Sequence, residues 1–144
     1  MIKMIHSYWA YIVLIVLIFA VINAFLGLKA NKKFEAKDLR ISLFALIASH
    51  IQLLIGFVAY YVSSYYETMR SVGMSGVMKN SDLRKILIEH PLVGIIAITL
   101  ITIGFSKHKK KTTDSAKFKT IAIFYAIALI LILSRIPWDL WFAN

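Results

Sequence analysis

Polar residues in this chain fall into short clusters, and four long apolar stretches run between them. The first is Tyr8–Leu28, YWAYIVLIVLIFAVINAFLGL, and the second is Ile41–Val62, ISLFALIASHIQLLIGFVAYYV. The third, Pro91–Phe105, is lengthened upstream by Ile86–Ile88, and the fourth, Thr120–Leu133, is extended by Ile136. A helix needs about 20 residues to cross the hydrocarbon core of a bilayer. The pattern therefore predicts an all-α integral membrane protein with spans at about 7–28, 41–63, 86–106 and 119–136, forming one four-helix transmembrane domain. Short connections between consecutive spans make them antiparallel neighbours, so the expected fold is an up-down-up-down four-helix bundle.

Composition supports this reading. Apolar side chains make up 60% of the 144 residues, far more than a soluble domain of this size carries. The first span is too long for the apolar region of a cleaved signal peptide and is expected to stay as a span. There is no cysteine, which excludes disulfides and thiolate metal sites.

A net charge of +10 would suggest nucleic acid in a soluble protein, but its distribution here points elsewhere. Lys29, Lys32, Lys33, Lys37 and Arg40 lie between spans one and two, and Lys107, Lys109, Lys110, Lys111, Lys117 and Lys119 between spans three and four. Short loops rich in Lys and Arg stay cytoplasmic. The loops at about 29–40 and 107–119 are thus expected inside, with both termini and the 63–85 segment outside; in a bacterial inner membrane that is the periplasmic side. Tyr8, Trp9, Tyr11, Tyr60, Tyr61, Tyr65, Tyr66, Trp138 and Trp141 gather at the same outer level, where amphipathic rings settle. The expected partners are the lipid bilayer and a quinol or membrane-complex partner, not nucleic acid.

Small residues mark where membrane helices touch. Ala45, Ser49, Gln52, Gly56, Ala59 and Ser63 form a stripe on span two; Gly94, Ala97 and Gly104 on span three and Ala122, Ala126 and Ala128 on span four are further contact points. Gln52 is expected to bond across to another helix. Ser81 or Asp82 is expected to cap the helix leading into span three, and Ser115 the helix before span four. The segment 64–85, with Gly73 and Gly76, is expected to be partly irregular.

One stretch, ILIEHPLVG at 86–94, sets an acid, an imidazole and a proline inside an apolar run. Ionisable residues are expensive in a membrane, so they mark candidate sites. Pro91 has no N–H and leaves the Leu87 carbonyl free. Counting about 1.5 Å per residue from Lys29, Arg40, Lys107 and Lys119 as an inner boundary puts His50 at about 15 Å, Arg135 at about 24 Å, His90 at about 25 Å and His6 at about 35 Å. His6 then reads as a surface residue and His108 as part of a basic loop. A cleft lined by His50, Gln52, His90 and Arg135 is the sharpest constellation.

Bundles hold cofactors between facing helices, and haem b takes imidazole axial ligands. His50 and His90 are the haem-iron candidates, with Arg135 beside the propionates and Gln52 and His6 as further cofactor-binding candidates. The alternatives are a quinone site at His90 and Arg135, or a cofactor-free accessory subunit of a larger membrane complex in which the same polar groups bond between helices. Enzyme motifs are absent: no His-Glu-x-x-His, Gly-x-Ser-x-Gly, phosphate loop or dinucleotide fingerprint occurs.

SHIQLLIGFVAYY (49–61), MKNSDLRKILIEHPL (78–92), TIGFSKHKKK (102–111), SRIPW (134–138) and IHSYW (5–9) give the chain a further feature. Over most of its length it resembles a family of small four-span bacterial membrane proteins labelled cytochrome b-like. The resemblance implies a b-type haem or an electron-transfer role. Span four has no histidine, unlike the diheme bundles, so a two-haem arrangement of their kind is not implied.

Overall fold

In the computed structural model, which describes residues 1–142, every apolar stretch lies in a helix that outlasts it at the basic end. Helix α1 spans Ile2–Ala30 and stops where Asn31 turns into the left-handed region, with φ of 57°. Its amide and that of Lys32 close on the carbonyls of Leu28 and Gly27, the usual way to satisfy the last carbonyls of a helix. Helix α2, Ala36–Val62, opens on a reciprocal cap between Glu35 and Asp38. Helix α3 follows at Ser64–Lys79, and α4, Ser81–Arg84, runs through a π turn at Lys85–Glu89 into α5, His90–Lys109. Helix α6 covers Asp114–Arg135, and a short α7, Trp138–Phe142, ends the described chain.

Four of these stretches are long and apolar enough to cross a membrane: Ile2–Ala30, Ala36–Val62, Ser81–Lys109 and Asp114–Arg135. This is a multi-pass membrane protein. Its polarity is arranged accordingly. Ile15, Leu26, Leu54 and Ile130 are each more than 60% exposed on the periphery, where lipid replaces water as the solvent. The core is built from small residues, Ala20, Ala24, Ala45, Ala97, Ala122 and Ala128, around Leu17, Ile101, Phe118 and Tyr125. Small side chains let backbones approach where no hydrophobic force draws helices together. A Cβ at Gly104 would overlap Phe124, and one at Gly27 would overlap the Phe118 ring. Gly94 was expected at such a contact but has nothing within 4 Å of where a Cβ would be.

The helices close a ring in which α1 packs on α2 and α6, and α5 packs on α6 and α2. Hydrogen bonds fix the register of α1 against α2: Trp9 Nε1 donates to the Ala48 carbonyl at 2.8 Å, and Asn23 Nδ2 donates to Asp38 Oδ1 at 2.9 Å. Tyr125 crosses the core to donate to the Ser42 carbonyl at 2.8 Å.

Local details depart from the sequence expectations. The segment after α2 is helical except at Gly73, whose φ of 77° suits a residue without a Cβ, and at the extended Asn80. Asn80, not Ser81 or Asp82, caps α4, accepting from the amides of Asp82 and Leu83. Thr113, not Ser115, caps α6 by accepting from the Ala116 amide at 3.1 Å. His108 is not a solvated loop residue. It is 1% exposed, packed against Phe34 and Phe105, with Nδ1 donating to the Phe105 carbonyl.

Candidate functional site

All four long helices converge at the end of the bundle opposite the basic loops. His6 comes from the first turns of α1, Gln52 and Gly56 from α2, His90 from the start of α5, and the Arg135 carbonyl from the last turn of α6. His6 and His90 face each other across the ring of helices, with ring centroids 6.3 Å apart and planes at 76°.

Each imidazole is held by its surroundings. His90 Nδ1 lies 3.0 Å from the Arg135 carbonyl, which can only accept, so Nδ1 carries the proton and Nε2 keeps its lone pair. Gln52 Nε2 donates to the His6 carbonyl at 2.9 Å, and its amide side chain is the polar neighbour of the His6 imidazole. His6 Nδ1 and Gln52 Oε1 are both buried without a hydrogen bond of normal geometry. The absence of a side chain at Gly56 lets the ring settle: a Cβ there would sit 3.2 Å from His6 Cε1.

Pro91 shapes the α5 side. Its missing N–H frees the Leu87 carbonyl, as the sequence implies, and Tyr60 Oη on α2 donates to that carbonyl at 3.0 Å. The π turn directly before His90 belongs to the same adjustment; such turns are frequent at functional sites. Within it Glu89 is shared by two cations, with Arg84 Nε at 3.0 Å and Arg135 Nε at 3.7 Å. A cavity of about 190 Å³ opens beside them, lined by Lys85, Glu89, Ser134, Arg135, Trp138 and Asp139.

His50 lies elsewhere. Its Nδ1 is 2.8 Å from the Leu46 carbonyl, and its Nε2 is 3.3 Å from Thr102 Oγ1 on α5. Thr102 is twelve residues beyond His90, about 18 Å along the helix axis. The structure thus brings together His6, Gln52, His90 and Arg135, and sets His50 apart on an exposed face. Taking Lys29 and Arg40 as one level is what misplaced His6. Asn23 is bonded to Asp38, which sets Lys29 eight residues below the level of Arg40, and His6 drops by about 12 Å, close to the level of His90.

Sequence reasoning passed over Asp38. It is 1% exposed and accepts from Asn23 Nδ2 and the Glu35 amide, each at 2.9 Å, with Lys32 Nζ at 3.9 Å. Its signal was the spacing Glu35-x-x-Asp38, a cap with the acids in unusual order.

Among the described residues no three His, Asp or Glu side chains converge as a bare-metal site. What converges is a pair of imidazoles, the largest number of ligands that a porphyrin-bound iron accepts from a protein. Two imidazoles on one metal have centroids at most roughly 6.4 Å apart, from two metal–nitrogen bonds of about 2.0–2.1 Å and the half-widths of two rings. The spacing of His6 and His90 fits that requirement. Comparison with known proteins gives no family model, no curated protein and no solved structure that matches this chain.

Proposed function

We propose that this is a small electron-transfer protein of a bacterial inner membrane that holds one haem b between His6 and His90. The observation that carries the proposal is the 6.3 Å spacing of two imidazoles contributed by helices on opposite sides of the bundle. The haem would supply reversible one-electron chemistry. The chain supplies the rest. The Arg135 carbonyl fixes the His90 tautomer, Gln52 and Gly56 seat the His6 ring, and Lys85 and Arg135 offer cations to propionates at the rim. Second partners of this kind orient metal-binding imidazoles.

The same reading arranges the helices up-down-up-down, with the basic loops cytoplasmic and both termini periplasmic. The pairings Trp9–Ala48 and Asn23–Asp38, which ascend in α1 as they descend in α2, support the antiparallel first pair. The lysine-rich connections support the orientation.

The test is an absorption spectrum of the detergent-purified protein from cells supplied with a haem precursor, oxidised and then reduced with dithionite. We expect a Soret band with α and β bands that sharpen on reduction. His6→Ala and His90→Ala should lose it while still inserting, and His50→Ala should keep it. A flat spectrum at stoichiometric protein would overturn the proposal in favour of a cofactor-free subunit, in which His6 and His90 are simply an interhelix contact.

A further inference from the structure

His50 is an ionisable residue in the middle of α2, exposed on the outer face of the bundle beside α5. Its hydrogen bonds define what it lacks. The Leu46 carbonyl at 2.8 Å can only accept, so the Nδ1 of the neutral ring carries the proton and Nε2 presents a lone pair. The nearest group to that lone pair is Thr102 Oγ1 at 3.3 Å. Thr102 has one hydroxyl hydrogen, and the Ile98 carbonyl lies closer, at 2.8 Å, and takes it. Thr99, one turn away and also exposed, spends its hydrogen in the same way on the Ile95 carbonyl at 2.7 Å. The patch therefore offers acceptors, His50 Nε2 and two threonine oxygens, and no donor among them.

We propose that this seam between α2 and α5 binds the reduced, quinol form of a lipid-soluble quinone, whose hydroxyl donates to His50 Nε2. An acceptor without a donor is costly in hydrocarbon, where water does not come to its aid. A quinol is a hydroxyl donor that dissolves in the bilayer. Ile47, Ile51, Leu54, Ile95 and Ile103 are all exposed around the patch and give its ring and chain apolar contact. The oxidised quinone carries carbonyl acceptors only and meets acceptors here, so the site discriminates for the reduced form. The site names the partner for the electron-transfer reading and rests on that reading for its role, but binding itself requires no haem.

The experiment uses haem-free His90→Ala protein, ¹⁵N-labelled at histidine, in lipid nanodiscs under anaerobic conditions, titrated with duroquinol and, separately, with duroquinone. We expect duroquinol to shift one imidazole Nε2 resonance saturably. That resonance should be the one missing in a His50→Leu version of the same protein. Duroquinone should bind about tenfold more weakly, as should duroquinol to the His50→Leu protein, the loss of one hydrogen bond. A His50 resonance that ignores duroquinol, or that answers equally to both forms, would overturn the inference; insensitivity to both would point to a partner helix on this face. If the leucine variant does not insert, the preference of the parent protein for quinol over quinone still decides the matter. A haem-free spectrum of the unsubstituted protein, with the quinol shift intact here, would overturn the haem reading alone.

Discussion

Replacing Tyr60 by phenylalanine removes one hydroxyl and little else, and its cost should depend on a proline 31 positions away. Pro91 deprives the Leu87 carbonyl of its helical donor, and Tyr60 Oη stands in at 3.0 Å. Leu87 is 2% exposed, so water does not reach that carbonyl. Interhelix hydrogen bonds in membrane proteins are worth about 0.6 kcal/mol on average and up to about 1.7 kcal/mol. A carbonyl left unpaired belongs near the upper end of that range, so Tyr60→Phe should destabilise by about 1–1.5 kcal/mol. Pro91→Ala restores an amide in register for the same carbonyl, and in that background Tyr60→Phe should cost less than about 0.5 kcal/mol. The assay is reversible unfolding in mixed micelles by titration with a denaturing detergent, followed by far-ultraviolet circular dichroism, for the parent protein, both single variants and the double. Equal costs of Tyr60→Phe in the two backgrounds would refute the link between proline and tyrosine. So would no cost in the parent protein.

Asp38→Ala strands the Asn23 amide and the Glu35 N–H at once and should lose about 2–4 kcal/mol in the same assay; a change under about 0.5 kcal/mol would show that water takes over as acceptor. Gly104→Ala drives a methyl group into Phe124 and should cost about 1–3 kcal/mol. Gly94→Ala, with open space around it, should be neutral or should stabilise by up to about 1 kcal/mol through helix propensity. Detergent unfolding of the pair reads the contrast directly, and equal effects would contradict the α5–α6 packing.

Much of the fold was legible because the relevant physics is one-dimensional. A run of about 20 apolar residues is a span whatever its neighbours do, and the four runs correspond to the four long apolar helices. The consequence of Pro91 was legible too, since a missing N–H is a property of the residue. That Tyr60 supplies the replacement was not, because nothing in the order of residues brings position 60 beside position 87. The caps shifted by one or two residues to Asn80 and Thr113 because several capping residues lie side by side there, and backbone geometry chooses among them.

Span number and span length follow from composition along the chain, and so does the presence of an acid, an imidazole and a proline at one point in α5. Which histidines meet is a matter of register. The Asn23–Asp38 bond sets α1 lower against α2 than equal basic ends would suggest, and that offset of about 12 Å carries His6 to His90. The turn of α2 about its axis sends Gln52 inward to the His6 carbonyl and His50 outward to Thr102. Positions 50 and 52 are two residues apart, or about 200° around a helix. Depth alone could not separate them, and only the packing of four helices gave one of them an interior to face.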